Sequence, residues 1–242
     1  WRDIWFYISI LVLIVLPLSS FLLIKKLKLD SRENSFKEKG IENINIKQWT
    51  RSEVLKDYRF YIISLNMLSM PSIATGVFVY QSFILTSKNW GPFIMAQSFM
   101  AYSILSVITL SVSGFLIDRY TSRKLLIYMN IPIFISTIVL YLFDSSYSSF
   151  VFLGLIGITN GFANVLGSST WAEIYGVKYI GGIKALTSGL MVFATAAGTA
   201  VFGILIDAGY TINSIAAFSA IYIAIIVLLL FFFRNKIEPI YI

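Results

Sequence analysis

The chain has 242 residues, of which 57% are hydrophobic and only 13% charged, with a mean hydropathy of +0.80 and a formal net charge of +7. That balance excludes an ordinary soluble domain. With no cysteine and no histidine, the chain has no route to disulfides, thiol chemistry, a His/Cys zinc site or histidine-based catalysis.

Seven stretches carry no Asp, Glu, Lys or Arg: 4–24, 60–87, 89–117, 125–143, 145–172, 185–206 and 208–233. The shortest has 19 residues and the longest 29, against the ~20 apolar residues a helix needs to cross a bilayer. A charge at mid-membrane costs about 2.5–3.5 kcal/mol on insertion scales, which is why the gaps stay clean. The runs predict an all-α polytopic membrane protein with seven transmembrane helices. A soluble bundle would show polar faces at helical spacing, and these runs do not.

The first span, 4–24, follows Trp1-Arg2-Asp3 without the basic and small-residue pattern of a signal peptide. Trp1 is not methionine, so we read the chain as a piece of a longer protein. The gap 25–59 is the longest between spans. Its part from Lys25 to Lys47 is charged and Asn-rich and reads as a flexible linker. From Trp49 the pattern changes. Thr50 and Glu53 stand at capping-box spacing, with Trp49 and Val54 placed as a hydrophobic staple, which predicts a short interfacial helix leading into the second span.

Within the second span, Pro71 and Gly76 are expected to break the helix and free carbonyls toward a cavity. Polar side chains at mid-depth must face a partner helix or water. They are Asn66 and Gln81 in the second span, Gln97 in the third, and Asn160 and Asn164 in the fifth, with Tyr80 and Tyr102 as further candidates. Each can be a ligand for a solute or a bond between helices. Asn160 and Asn164 share a helical face. Gly157 with Gly161, and Ala194 with Gly198, have the spacing of close-packed helix faces.

Bases set the orientation. Of 19 Lys and Arg, ten fall in 25–59, three in 118–124, two in 173–184 and two after Phe233. Only Arg2 and Lys88 lie in the alternate gaps. The positive-inside rule therefore places the N-terminus outside and the C-terminus in the cytosol. The net positive charge is met by anionic lipid and needs no nucleic acid.

Between the third and fourth spans stands Gly114-Phe115-Leu116-Ile117-Asp118-Arg119, followed by Arg123 and Lys124. The first five residues recur as Gly203-Ile204-Leu205-Ile206-Asp207, 89 positions on. Three spans separate the copies, so they fall on opposite membrane faces. Inverted three-helix repeats of this kind build many secondary transporters.

These two segments, together with Trp49 through Leu55 and Trp171-Ala172-Glu173-Ile174-Tyr175-Gly176, resemble the major facilitator superfamily, in particular its oxalate/formate antiporter and monocarboxylate-porter branch. The resemblance implies a carrier of two six-helix halves. In that register 1–24 is the last helix of the N-terminal half, 25–59 the central linker with its short helix, and 60–242 the C-terminal bundle, so that the seven spans match helices six to twelve. It further implies secondary transport of a small organic solute, such as a monocarboxylate or other organic anion. Partners would be that small-molecule substrate, a coupling ion, the lipid bilayer and the missing N-terminal helical half, with no nucleic acid, no cofactor, no metal and no enzyme activity.

The resemblance also implies that Gly114, Asp118, Arg119, Arg123 and Lys124 form a cytosolic gate clasp. The family usually carries a glycine and an extra base where Thr121 and Ser122 stand, and a base in its eighth or eleventh helix, whereas 89–117 and 185–206 are uncharged. Gly157, Gly161, Gly198 and Gly203 are expected to pack helices. A seven-helix receptor is opposed by the missing cysteines and by the absence of proline from 185–206 and 208–233. A membrane scaffold or enzyme is the remaining alternative. The location expected is the cell (inner) membrane.

Overall fold

The computed structural model describes residues 46–241 together with positions 6, 7, 10–15, 17 and 18. Those early positions are helical and fall inside the predicted span 4–24. The linker over 25–45 lies outside the described residues.

The unit beginning at Ile46 is helical throughout. Its elements are α1 (Arg51–Val54), α2 (Tyr58–Val79), α3 (Gln81–Ser87), α4 (Ile94–Tyr120), α5 (Ser122–Leu125), α6 (Ile131–Leu142), α7 (Ser146–Tyr175), α8 (Ile180–Asp207) and α9 (Ile212–Phe233), closed by a 3₁₀ turn over Arg234–Lys236. Among the described residues, five helices are long and apolar enough to cross a membrane, and α6 is a shorter apolar helix.

The short helix after Trp49 forms where the capping pair stands. The Glu53 carboxylate accepts from the Thr50 amide and the Thr50 hydroxyl, each at 2.8 Å. Val54 is fully buried, and Trp49 packs into the same cluster. Asp57 then caps α2 by accepting from the Arg59 amide at 3.0 Å.

Two expectations about helix continuity are corrected. Pro71 and Gly76 do not break the second span, because α2 runs through both to Val79. Proline removes one ladder bond but fits wherever neighbouring helices support the backbone. Around it the Ser72 hydroxyl donates to Leu68 O at 2.7 Å and the Thr75 hydroxyl to Pro71 O at 2.6 Å. Gly76 serves packing, since a Cβ there would lie 2.7 Å from the Phe202 ring. The interruption falls instead at Tyr80, between α2 and α3.

The run 125–143 is not one helix. Residues 126–130 form turns, and α6 begins at Ile131 with Pro132 in its first turn, where a missing N–H costs nothing. Buried amides hold the turns. Asn66 Nδ2 donates to Leu126 O at 3.3 Å, and Asn130 Nδ2 reaches Asn66 O at 2.7 Å and Asn66 Oδ1 at 3.0 Å.

Helix α4 packs along α7, α2 along α8, and α6 against both α7 and α9. The α4–α7 seam is made by small residues. Ideal Cβ atoms at Gly161 would sit 2.7 Å from Ser106 O and from the Thr109 Cβ, and Gly157 meets Tyr102 O still more closely. At the α2–α8 seam, Gly198 abuts the Ser72 backbone. A shift of 89 positions, the spacing from Gly114 to Gly203, turns Ser72 into Gly161 and Thr109 into Gly198. The two contacts, Ser72 with Gly198 and Thr109 with Gly161, are therefore images of each other under one register.

The buried face of α4 consists of Met95, Ser98, Thr109 and Ser113, while Met100, Ile104, Val107 and Phe115 point outward. Small polar residues inside and large apolar ones outside is the arrangement a helix adopts in lipid, where packing rather than water exclusion holds helices together.

Apolar side chains gather in two clusters, one toward each end of the bundle. The first centres on Ile84, Met95, Ile133, Phe152 and Ile223. The second centres on Phe60, Leu126, Leu166, Trp171 and Ile183.

Candidate functional site

Beside the second cluster α2, α7 and α8 border a cavity of about 160 Å³. Ser64, Met67 and Pro71 come from α2, Asn160, Asn164, Gly167 and Trp171 from α7, and Thr187, Leu190 and Met191 from α8. No charged side chain lines it. Its polar groups are amides and hydroxyls, suited to hydrogen bonding rather than to ion pairing.

Of the predicted cavity residues, Asn160 and Asn164 line this space. Asn160 Nδ2 also donates to Ser106 Oγ on α4 at 2.9 Å, and Asn164 Nδ2 donates to Asn160 O at 2.8 Å. Thus one amide links two helices and borders the cavity at the same time. Asn66 is buried in the network around Asn130 and does not line the cavity. Tyr80 sits at the α2–α3 joint with its hydroxyl 2.5 Å from an ideal Cβ on Gly203, so that glycine makes room for the tyrosine. Tyr102 packs edge-on against Phe78 at 5.4 Å. Gln81 is half-buried at the start of α3, and Gln97 is exposed near the start of α4.

Sequence reasoning missed Ser64, Trp171 and Thr187. The Ser64 hydroxyl is buried and has no hydrogen-bond partner among the described residues. Nothing in a serine-rich helix marks it in advance.

At one end of the bundle the predicted basic segments converge. Lys47 N donates to Ile240 O at 2.8 Å, Trp49 N to Tyr175 O at 3.0 Å, and Lys178 N to Gln48 Oε1 at 2.9 Å. Arg59 and Asp57 form a buried ion pair at 2.7 Å, and Arg59 also donates to Glu238 O. At the opposite end Lys88 pairs with Asp144 at 2.6 Å, and the Trp90 indole donates to Asp144 O at 2.7 Å. Helix α4 runs from the Lys88 end to the basic end and α8 runs back, so Asp118 and Asp207 lie at opposite ends.

The segment from Gly114 to Lys124 ends α4 and begins α5. Glu173, from the last turns of α7, does the holding there. Its Oε2 accepts from the Ser122 amide at 2.9 Å, the Arg123 amide at 3.3 Å and the Ser122 hydroxyl. Its Oε1 lies 3.3 Å from Arg123 Nε, and Arg123 Nη1 reaches Glu238 Oε1 at 3.2 Å. Arg119 lies over the Tyr120 ring at 5.3 Å, and Asp118 and Lys124 are exposed with no ion pair among the described residues. A Cβ on Gly114 would meet nothing within 4 Å, so no helix packs closely against it among the described residues. Glu173 had a signal: it is the lone acid between Asp144 and Asp207.

The turn itself is strained. Thr121 adopts φ 68° and ψ 147°, a region that only glycine enters freely, at the position where the resembled family carries glycine.

The fold agrees with a comparison against known families. A model of the Major Facilitator Superfamily matches residues 1–146, more than half of the chain. No curated protein matches the chain significantly. The described helices supply an all-α bundle with five helices long and apolar enough to cross a membrane, and with that family match the chain belongs to the Major Facilitator Superfamily, whose work is transport across membranes.

Proposed function

We propose that the chain is the C-terminal portion of a secondary carrier for a small organic solute, working by alternating access. In this reading 4–24 is the sixth helix, 25–59 the cytosolic linker and 60–242 the six-helix C-terminal half. The two three-helix units, 60–143 and 145–233, are inverted repeats. The basic end faces the cytosol, in the cell membrane, and a missing N-terminal half closes the other wall of the cavity. Rocking of the two halves about that midplane space would expose it to each side in turn.

The observation that carries the reading is the cavity where α2, α7 and α8 meet, bordered by Asn160, Asn164 and Thr187, whose amides and hydroxyl can hydrogen-bond a solute. The register of 89 positions that relates the α2–α8 and α4–α7 seams supports the repeat. Since this half offers the solute no charge, a carboxylate substrate would be met here by amides and hydroxyls, and a coupling ion or counter-charge would come from the other half. Glu173, Arg123 and Glu238, together with Gly114, Asp118, Arg119 and Lys124, form the cytosolic gate region.

The test is uptake of radiolabelled formate, oxalate and lactate, then a broader solute panel, by cells expressing the complete reading frame that contains this chain. Asn164→Ala and Thr187→Ala should each lower kcat/KM about tenfold, the loss expected for one hydrogen bond of ~1.4 kcal/mol. No accumulation of any solute by correctly inserted protein, or full rates in both variants, would overturn the reading.

A further inference from the structure

The basic end carries a second feature beside the gate region, with which it shares Lys124. Lys124 and Arg234 both border two adjoining hollows. One, of about 150 Å³, lies toward Arg123, Asn235 and Glu238. The other, of about 470 Å³, is walled by Leu116, Leu125 and Ile127 and rimmed by Tyr120 and Tyr128.

The chemistry of the two hollows differs in a way that matters. Glu238, the one acid lining either hollow, engages Arg123, as does Glu173, and Asp118 lines neither hollow. Among the described residues, Lys124 and Arg234 therefore have no carboxylate partner. Arg234 instead lies over the Phe231 ring at 4.3 Å. Two cations without counter-charges thus stand at the head of an apolar trough.

Depth fixes what could fill it. Helix α4 ends at Tyr120 and α9 at Phe233, so Lys124 and Arg234 sit just beyond the ends of two membrane-length helices. Phe115, Tyr120, Tyr128 and Phe232 are all exposed around this end, with aromatic side chains at the level where interfacial belts form. A soluble anion would use the cations and leave the trough empty. A zwitterionic lipid would fill the trough but bring its own ammonium group beside the two cations, which cancels most of the attraction of its phosphate. A molecule with acyl chains and a phosphate headgroup of net negative charge uses both.

We propose that Lys124 and Arg234 hold the phosphate of an anionic phospholipid whose acyl chain lies in the trough between α4, α5 and the turns that precede α6. The site differs from the general attraction of basic loops to an anionic leaflet, because it depends on these two bases and on the apolar walls beneath them.

The test uses the purified protein, expressed from its complete reading frame, stripped of lipid in detergent and titrated with dioleoyl phosphatidylglycerol, with bound lipid counted by native mass spectrometry. Each base next to a lipid phosphate strengthens binding about fivefold. Phosphatidylglycerol should thus bind the Lys124→Gln variant about fivefold more weakly, and the Lys124→Gln/Arg234→Gln variant about twenty-five-fold more weakly. Lys178→Gln/Lys184→Gln removes the same charge from the same end and should bind within about twofold of the parent. Dioleoyl phosphatidylcholine and glycerol phosphate, which lack the charge or the chains, should both bind at least tenfold more weakly than phosphatidylglycerol. Equal retention of phosphatidylglycerol by the two double variants overturns the proposal. So does phosphatidylcholine binding as well as phosphatidylglycerol, or glycerol phosphate doing so without chains. Both bases are exposed, and a size-exclusion profile matching the parent establishes that the variants are folded.

Discussion

Gly161→Ala tests the packing that the repeat register rests on. The added Cβ would lie 2.7 Å from the Thr109 Cβ and from Ser106 O, and 2.8 Å from Leu110 N. Carbon atoms sit comfortably at about 3.5–4.0 Å, so α4 and α7 must part by roughly 1 Å at this crossing. Two of the three neighbours are backbone atoms, which cannot swing aside. Overpacking of this kind costs about 1–3 kcal/mol, and alanine's better helix propensity returns roughly 0.5–1 kcal/mol. Gly198→Ala should behave alike, because its Cβ would meet the Ser72 carbonyl carbon and Cα at 2.7 Å. Gly189 provides the control, since nothing lies within 4 Å of its Cβ and alanine there keeps only the propensity gain. Reversible unfolding by SDS in mixed micelles, followed by circular dichroism, gives the three free energies. Gly161→Ala should fall below Gly189→Ala by about 1–3 kcal/mol. Two values within about 0.3 kcal/mol of each other would show that the helices do not approach as described.

Three further outcomes follow from the basic end. Thr121→Gly relieves a backbone conformation that costs a threonine about 1–3 kcal/mol, so the variant should unfold later by roughly 1 kcal/mol in the same assay, and a loss of stability would contradict the assigned φ of 68°. Glu173→Gln weakens three donors' hold on a carboxylate, bonds to charged groups being worth about 1.5–3 kcal/mol. Deuterium exchange at the Ser122 and Arg123 amides should then rise, and unchanged exchange would remove Glu173 from the clasp. Glu53 is held down from 4.5 to about 2 by bonds from the Thr50 amide, the Thr50 hydroxyl and Lys47. A carboxyl with a lowered folded value stabilises fully above its free value and loses that contribution as pH falls through the folded one. Protection of the Thr50 amide should therefore decline between about pH 4.5 and pH 2, and Glu53→Gln should abolish that dependence; a decline that persists in the variant would point to another group.

Much of the architecture was legible because hydrocarbon punishes charge everywhere along a span. The runs 60–87, 89–117, 145–172, 185–206 and 208–233 each contain, with small shifts at the ends, the helices α2–α3, α4, α7, α8 and α9. The grouping of basic segments was legible for the same reason, and Lys47, Trp49, Arg59, Arg123 and Lys178 do meet at one end. The Thr50–Glu53 pair was legible because capping is local: three residues of backbone decide it.

The interior of the site was not legible in this way. Asn66, Asn160 and Asn164 look alike in sequence, yet Asn66 goes to Asn130 while Asn160 and Asn164 border the cavity. Pro71 looks like a breaker and is carried through a continuous helix. Ser64 and Thr187 carry no mark at all. In α4 the exposed residues are as apolar as a core, Ile104 and Val107 among them, while Ser98 and Ser113 are buried. Hydropathy therefore does not say which side of such a helix turns inward. The sequence by itself determined where the five described membrane-length helices lie, because each span's solvent is set by its own composition. Only the tertiary structure decided which faces meet, which amides find partners and where space remains, because in lipid those choices depend on how closely one backbone can approach another.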